Sequence, residues 1–426
     1  MSKWINCKIE DVCDFIGGSQ PPKSTFIDYP KDGYTRLVQT RDFKTDKFPT
    51  YIPANSTSKF FNKADIIIGR YGPPIFQIFR GTLEGAYNVA LMKAVPKENI
   101  TNEFLYFFLT QKDVFEYVDK LSARTGGQTG VDLSSLYKYP INLPSKIEQN
   151  AITSVLSALN AKIELNNKIN FELEAMAKTI YDYWFVQFDF PDKNGKPYKT
   201  SGGKMVWNEE LKREIPDGWK VDSLSSWIAK DKSGDWGKEV REGNYSERVF
   251  CIRGADLNGL NGKGEVKAPE RFILEKNSHK MLEPHDIIVE ISGGGPTQST
   301  GRMAYMTTES LARFDAPVIC SNFCKAVTLK NEKSLYNFAF EWNKAYDHGI
   351  LFGYEGKTSG IKNLLFESFV TSYQATTPTI HLMEKFYEFM TPFESRKQKN
   401  LLENQKLVEL RDWLLPMLMN GQVRVI

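Results

Sequence analysis

Metal binding and nucleophilic catalysis draw on cysteine and histidine, and this chain of 426 residues has five cysteines and four histidines at spacings that suit neither. Cys7, Cys13, Cys251, Cys320 and Cys324 are odd in number and form no Cys-x-x-Cys pair, so free buried thiols in a reducing compartment are expected rather than a zinc site or a disulfide framework. His279, His285, His348 and His381 have no Ser, Cys or carboxylate at the spacing of a catalytic triad. Other fragments fail on one residue each. Tyr71-Gly72-Pro73-Pro74-Ile75-Phe76 approaches the Asn/Asp-Pro-Pro-aromatic motif that holds a target amino group, but Gly72 has no side-chain acceptor. Gly356-Lys357-Thr358 could end a phosphate-binding loop, yet the required first glycine falls at Leu351. Pro216-Asp217 with Glu265-Val266-Lys267 matches a nuclease pattern only at the level expected by chance. The chain is therefore expected to be non-catalytic, with no metal or cofactor of its own.

The remaining polar clusters suit contact with a nucleic acid. Ser122–Gly130 reads as a flexible loop carrying Arg, Thr and Gln, its counterpart is Tyr354–Gly360, and Ser292–Arg302 has the same chemistry after a strand. Arg and Gln pair bidentately with base edges, Thr and Ser reach bases or phosphates, and glycine lets backbone approach closely. The candidate contacts are Arg41, Lys44, Arg70, Tyr71, Arg124, Thr125 and Gln128 in the first half, and Arg253, Ser292, Gln298, Arg302, Lys357 and Thr358 in the second. Charge permits this reading without arguing for it. The balance is 55 basic to 52 acidic residues, with 18 against 15 in residues 1–145 and 20 against 21 in residues 216–378, far from the basic excess of a protein held by phosphate contacts alone.

Organisation argues more strongly, because the chain is written twice. Trp4–Ile9 recurs as Trp219–Leu224, Arg41-Asp42-Phe43 as Ala255-Asp256-Leu257, Asp65–Ile68 as Asp286–Val289, and Thr129-Gly130-Val131 as Ser359-Gly360-Ile361. Each match is weak, but the four occur in the same order in both halves. The strongest repeat is helical. An apolar seam at spacings of four and three runs Ile152, Leu156, Leu159, Ile163, Asn166, Asn170, Leu173, Ala177, Ile180, Trp184, and a second runs Leu382, Phe386, Phe389, Phe393, Arg396, Asn400, Glu403, Leu407, Leu410, Leu414. Both are heptad patterns sustained over about five heptads, which predict two helices packed on each other. Helices of roughly 38 residues would be ~57 Å long. Each seam turns polar midway, so Asn166, Asn170, Arg396 and Asn400 are expected to fix the register of an antiparallel pair.

These patterns predict an α+β fold with a pseudo-two-fold repeat: two similar mixed α/β domains separated by two long antiparallel coiled-coil helices. The expected boundaries are 1–145 for the first domain, 146–188 for the first helix, 189–215 for a polar connector, 216–378 for the second domain, and 379–426 for the second helix and tail, with Pro416 and Gly421 ending that helix. Within the domains, Ile66–Ile68, Val89–Met92, Ile287–Ile291 and Cys324–Leu329 read as strands, and Glu103–Leu121 and Leu335–Tyr346 as helices. A hydrophobic share of 41% supports packed cores. No apolar run approaches the ~18 residues of a membrane span, and the N-terminus does not open a signal peptide, so a soluble cytoplasmic protein without a membrane partner is expected.

With these residues in view, the chain resembles the specificity subunit of type I restriction-modification systems over essentially its whole length. The matching stretches are Asp65–Gly72, Gly85–Leu91, Leu143-Pro144 with Glu148-Gln149 and Ile152, Lys162–Asn166, Trp184–Pro191 and Glu214–Trp219. The second half departs by lacking Glu-Gln after Pro378 and by carrying Arg396 and Glu403 in its seam. The resemblance implies two target recognition domains, each reading half of a split sequence in double-stranded DNA, with the helices as spacer. It implies two methyltransferase subunits docked on the helices and supplying S-adenosylmethionine chemistry. Restriction translocase-nuclease subunits would use ATP and Mg. Half-sites on one face of B-DNA lie ~34 Å apart, a separation that ~57 Å helices can set. Two other readings remain: a single-chain DNA modification or restriction enzyme, and a coiled-coil adaptor that binds protein only.

Overall fold

The computed structural model describes residues 4–43, 45–72, 74–121, 123–125, 128–295, 297–358 and 361–425. It divides into two compact units, the first Met1–Lys162 with Lys406–Ile426, the second Ile163–Gln405. The long helices Lys146–Tyr181 and Ile380–Met419 each contribute a segment to both units.

The two units repeat one topology. In the first, an antiparallel four-stranded sheet has the order Cys13–Gly17, Leu91–Pro96, Ile66–Gly69, Ile78–Phe79; in the second, the order is Ile228–Ser233, Cys324–Leu329, Ile287–Glu290, Met303–Tyr305. The central strands Ile66–Gly69 and Ile287–Glu290 are buried along their whole length, as their unbroken apolar runs require. A second sheet in each unit contains a parallel pair, Tyr34–Val38 with Gly85–Tyr87 and Tyr245–Ile252 with Val318–Cys320. A third element pairs the domain's entry and exit, Ile5–Lys8 with Pro140–Leu143 and Lys220–Ser223 with Gln374–Thr377. Gly18 and Gly234 occupy the same place after the first sheet strand. A Cβ there would collide with the carbonyls of Asn88 and Ser321 respectively, so only glycine lets the strand end pass over that turn.

Local chemistry moves several sequence boundaries. Glu103–Leu121 is two helices, Asn102–Leu109 and Lys112–Lys120, because Thr110 and Gln111 turn their side chains back onto the Phe107 and Phe108 carbonyls. The strand expected from Val89 begins at Leu91, since the Asn88 side chain accepts the Ala90 N–H and closes a turn. The second long helix passes through Pro416 and ends at Met419. The Pro416 carbonyl still accepts the Asn420 N–H, and Gly421, at φ 70°, ends the run. The polar connector contains a hairpin, Met205–Asn208 with Arg213–Pro216. Trp219 gathers Phe185, Phe188 and Phe190 at centroid distances of 5.9, 5.3 and 5.5 Å.

The first long helix opens on a capping box. The Ser145 and Glu148 side chains each accept the other's backbone N–H. Gln149, fully buried, then stitches the helix to its domain, accepting from Thr101 N–H at 2.7 Å and donating to the Asn99 and Pro144 carbonyls at 3.0 Å each. In the second unit the helices run antiparallel: Asn400 donates to Asn170 at 2.8 Å, and Asn166 to Asn404 at 2.9 Å and to Glu403 at 2.8 Å. Asn166, Asn170 and Asn400 thus lie on the buried seam, whereas Arg396 is exposed. The buried position beside it belongs to Lys397, which pairs with Glu394 at 2.9 Å and Glu174 at 3.6 Å. The seam drifts by one residue there because Phe389 and Arg396 turn outward while Met390, Glu394 and Lys397 turn in.

These amides carry a stability prediction. Asn400→Leu leaves the Asn170 Oδ1 buried without its donor and should cost about 1–3 kcal/mol. Adding Asn170→Leu should recover most of that loss while loosening the register. Denaturant unfolding of the single and double variants measures both; equal loss in each would show that the pair does not interact.

Candidate nucleic-acid interface

The glycine-rich stretches expected as loops are strands of a small three-stranded sheet present in each unit. In the first, Ala123–Thr125 pairs with Gln128–Gly130, which pairs with Tyr71–Gly72. In the second, Glu355–Thr358 pairs with Ile361–Leu364, which pairs with Ser292–Gly293. Arg124 and Thr125 thus occupy the same rungs as Lys357 and Thr358, and Tyr71 the same rung as Ser292. Pairing also shifts one sequence match. Thr129-Gly130-Val131 corresponds to Lys362-Asn363-Leu364 rather than to Ser359-Gly360-Ile361, of which Ser359 and Gly360 lie outside the described residues. Strand formation follows from the sequence on either side of the glycines, where β-branched residues alternate with long polar ones.

Seven of the thirteen candidate contacts, Tyr71, Arg124, Thr125, Gln128, Ser292, Lys357 and Thr358, lie on these sheets. Arg70 immediately precedes one of them, its guanidinium 5.3 Å from the Tyr71 ring centroid. Gln298 is exposed, and its carbonyl accepts from Lys362 Nζ of the second sheet at 3.4 Å. Arg41 lies apart, on the turn Thr40–Phe43, donating to the Phe48 carbonyl at 3.2 Å and to Thr50 at 2.9 Å beside an open cleft of about 500 Å³ that Tyr29 and Phe48 also line. Lys44 lies outside the described residues.

Two arginines have structural partners instead. Arg302 grips Glu290 bidentately through Nε and Nη2, at 2.9 and 2.6 Å, and those hydrogen bonds hold its pKa above the ordinary arginine value. Arg253 clasps Asp256 at 2.9 and 3.1 Å and donates to the Lys267 carbonyl. Burial alone would raise the Asp256 pKa, but the hydrogen bonds from Arg253 outweigh it and hold the carboxyl below its usual range. Asp42, at the equivalent turn of the first unit, has Arg36 and Arg41 no nearer than 3.9 and 3.8 Å, and burial pushes its pKa up. Glu290 ends a strand next to the one that Arg302 precedes, whereas Asp256 closes the short turn Gly254–Asp256 just after Arg253.

Sequence reasoning also missed Asn363 and Lys362. Asn363 accepts a short hydrogen bond from the Ser292 hydroxyl. Lys362 pairs with Glu355 at 2.9 Å and lies 5.0 Å from the Phe352 ring centroid. Burial opposes ionisation of Glu355, yet the Thr300 N–H and Lys362 keep its carboxyl below the usual range. Their only sequence signal was position on the repeat once its register is known. Among the described residues no group of three His, Cys, Asp or Glu is arranged to hold a metal, and no helix is long and apolar enough to cross a membrane. His285 meets Tyr387 at 2.7 Å and Glu332 at 3.3 Å, with no cysteine or serine hydroxyl in the set. Cys13, Cys251, Cys320 and Cys324 are buried free thiols, and burial pushes the pKa of Cys13, Cys251 and Cys324 up to about 12.

Two like β-rich units, each holding a segment of both long helices, thus carry polar three-stranded sheets at equivalent positions. Comparison with known proteins places this arrangement. Residues 1–175 match the family described as type I restriction modification DNA specificity domain. The chain is 25% identical to the MjaIX type I restriction enzyme specificity subunit of Methanocaldococcus jannaschii, over 99% of this chain and 94% of that one. It is 22% identical to the HindI specificity subunit of Haemophilus influenzae, over 99% of this chain and 100% of the other. The fold is shared with the crystal structure of a type I restriction-modification S subunit from M. genitalium, at a TM-score of 0.57 and 15% identity over 98% of this chain and 96% of that one. Residues 1–175 thus carry the type I restriction modification DNA specificity domain, and the chain as a whole is similar to specificity subunits of type I restriction enzymes.

Proposed function

We propose that the target is bipartite, with each unit reading one half-site in double-stranded DNA and the long helices setting the distance between them. The observation that supports this reading is the recurrence of the same three-stranded sheet, with its Arg/Lys-Thr edge strand, in both units. Two methyltransferase subunits dock on the helices and supply the S-adenosylmethionine chemistry. Restriction translocase-nuclease subunits join the same cytoplasmic complex with ATP and Mg.

Substitution in one unit should therefore affect one half-site only. Arg124→Ala or Gln128→Ala should weaken one half-site, and Lys357→Ala or Thr358→Ala the other, each by about 1–3 kcal/mol at a single base pair. Binding of the assembled complex to duplexes altered in one half-site at a time measures this. Uniform weakening across all sequences would reduce these residues to phosphate contacts.

A further inference from the structure

One rung of the small sheet makes opposite choices in the two units. In the first, Tyr71 stands opposite Gly130, and a Cβ on that glycine would meet the Tyr71 ring at 3.2 Å. Glycine thus lets the ring lie across the central strand, beside the Arg70 guanidinium. In the second unit the sizes are reversed: Ser292 is small, and Asn363 on the central strand is large. The Ser292 hydroxyl donates to Asn363 Oδ1, which fixes the orientation of the amide. On the other side of Asn363 stands Gly356, with no side chain to cover it.

The surroundings of this amide are apolar. Ile361 and Leu365, two residues to either side on the same face, are 48 and 50% exposed, and Phe323 is 52% exposed. The Phe323 carbonyl accepts the N–H groups of both Ile291 and Ser292, which ties its turn to the sheet edge. Ile361 and Leu365 thus flank the oriented amide along the chain, and Phe323 sits on the turn bonded to the neighbouring edge. A phosphate cradle needs available cations, and Lys362, next to Asn363 on the central strand, is held by Glu355 two rungs away at 2.9 Å.

We infer that this rung is a base-reading position of each unit, with Tyr71 and Asn363 as specificity-determining residues and the edges of duplex base pairs as their ligand. The inference rests on the DNA reading proposed above. Asn363 Nδ2 gives one hydrogen to the Ile361 carbonyl at 3.4 Å; its second hydrogen can donate to adenine N7 while Oδ1, beside the Ser292 hydroxyl, accepts from adenine N6–H, and aliphatic neighbours accept the thymine methyl. Tyr71 offers a planar ring and a hydroxyl in place of the amide, so the two half-sites differ in base at the equivalent position.

The test is selection from a randomised duplex library by the full chain assembled with its methyltransferase subunits, followed by sequencing. Asn363→Ala should lose preference at one base pair of one half-site by roughly 10- to 100-fold and leave the other half-site unchanged. Tyr71→Ala should do the converse. Asn363→Asp keeps the size but replaces the donor by an acceptor, and should turn preference at that base pair toward cytosine; it serves equally if the alanine variant fails to fold. An unchanged motif in the Asn363 variants, or a uniform loss over all sequences, overturns the inference while leaving the bipartite reading intact. A wild-type complex with no sequence preference overturns the bipartite reading itself.

Discussion

Arg302→Ala should destabilise the second unit by about 3–5 kcal/mol, the cost of stranding a buried carboxylate. Glu290 is 2% exposed, and both its oxygens are bound by the Arg302 guanidinium. The backbone closes around them, since a Cβ on Gly254 or Gly293 would press on Glu290 Oε1 at 2.5 or 2.6 Å. No side chain can therefore shift in to take the place of the guanidinium. Denaturant unfolding followed by tryptophan fluorescence reads the loss, because six of the eight tryptophans lie in that unit. Arg302→Lys should rescue only part of it, as an ammonium cannot span both oxygens. A variant with wild-type stability and weakened DNA binding would return Arg302 to the surface that sequence reading assigned it.

The second large effect concerns the spacer. Inserting four residues beside Lys168 lengthens the first helix by ~6 Å, close to two base-pair steps of ~3.4 Å. The site falls between the Asn166–Asn404 and Asn170–Asn400 rungs, so one rung is broken while the seam, displaced by a four-residue stutter, survives. The expected result is a spacer lengthened by about two base pairs between unchanged half-sites, or loss of binding where the second helix cannot follow. A matching insertion of four residues between Asn400 and Asn404 should then restore binding with the longer spacer. An insert that leaves spacer and affinity untouched would show that the helices do not set the distance.

Much of the fold is legible in the sequence because it rests on periodicity. The seam Ile152 to Trp184 and the buried runs Ile66–Ile68 and Ile287–Val289 follow directly from apolar spacing, and the duplication exposes the two units. What periodicity cannot supply is the partner of a polar residue. Arg253 and Arg302 resemble DNA contacts in sequence, yet each is satisfied by a carboxylate that folding places beside it. Arg396 falls on the extrapolated heptad, but the real helix drifts and brings Lys397 inward, where Glu394 and Glu174 hold it charged against the cost of burial. The candidate surface was partly legible for the same reason. Arg124 and Lys357 were matched because their neighbours repeat, whereas Asn363 was passed over because its counterpart is a glycine and only strand pairing equates them.

The bipartite reading is tested most directly by selecting a randomised duplex library with the wild-type chain assembled with its methyltransferase subunits at physiological salt. Base readout should add several kcal/mol to non-specific binding, about 4–10 for specific complexes in general. The expected product is two short defined motifs separated by a spacer of fixed length and no base preference. A single contiguous motif, or retention of all sequences alike, would contradict it.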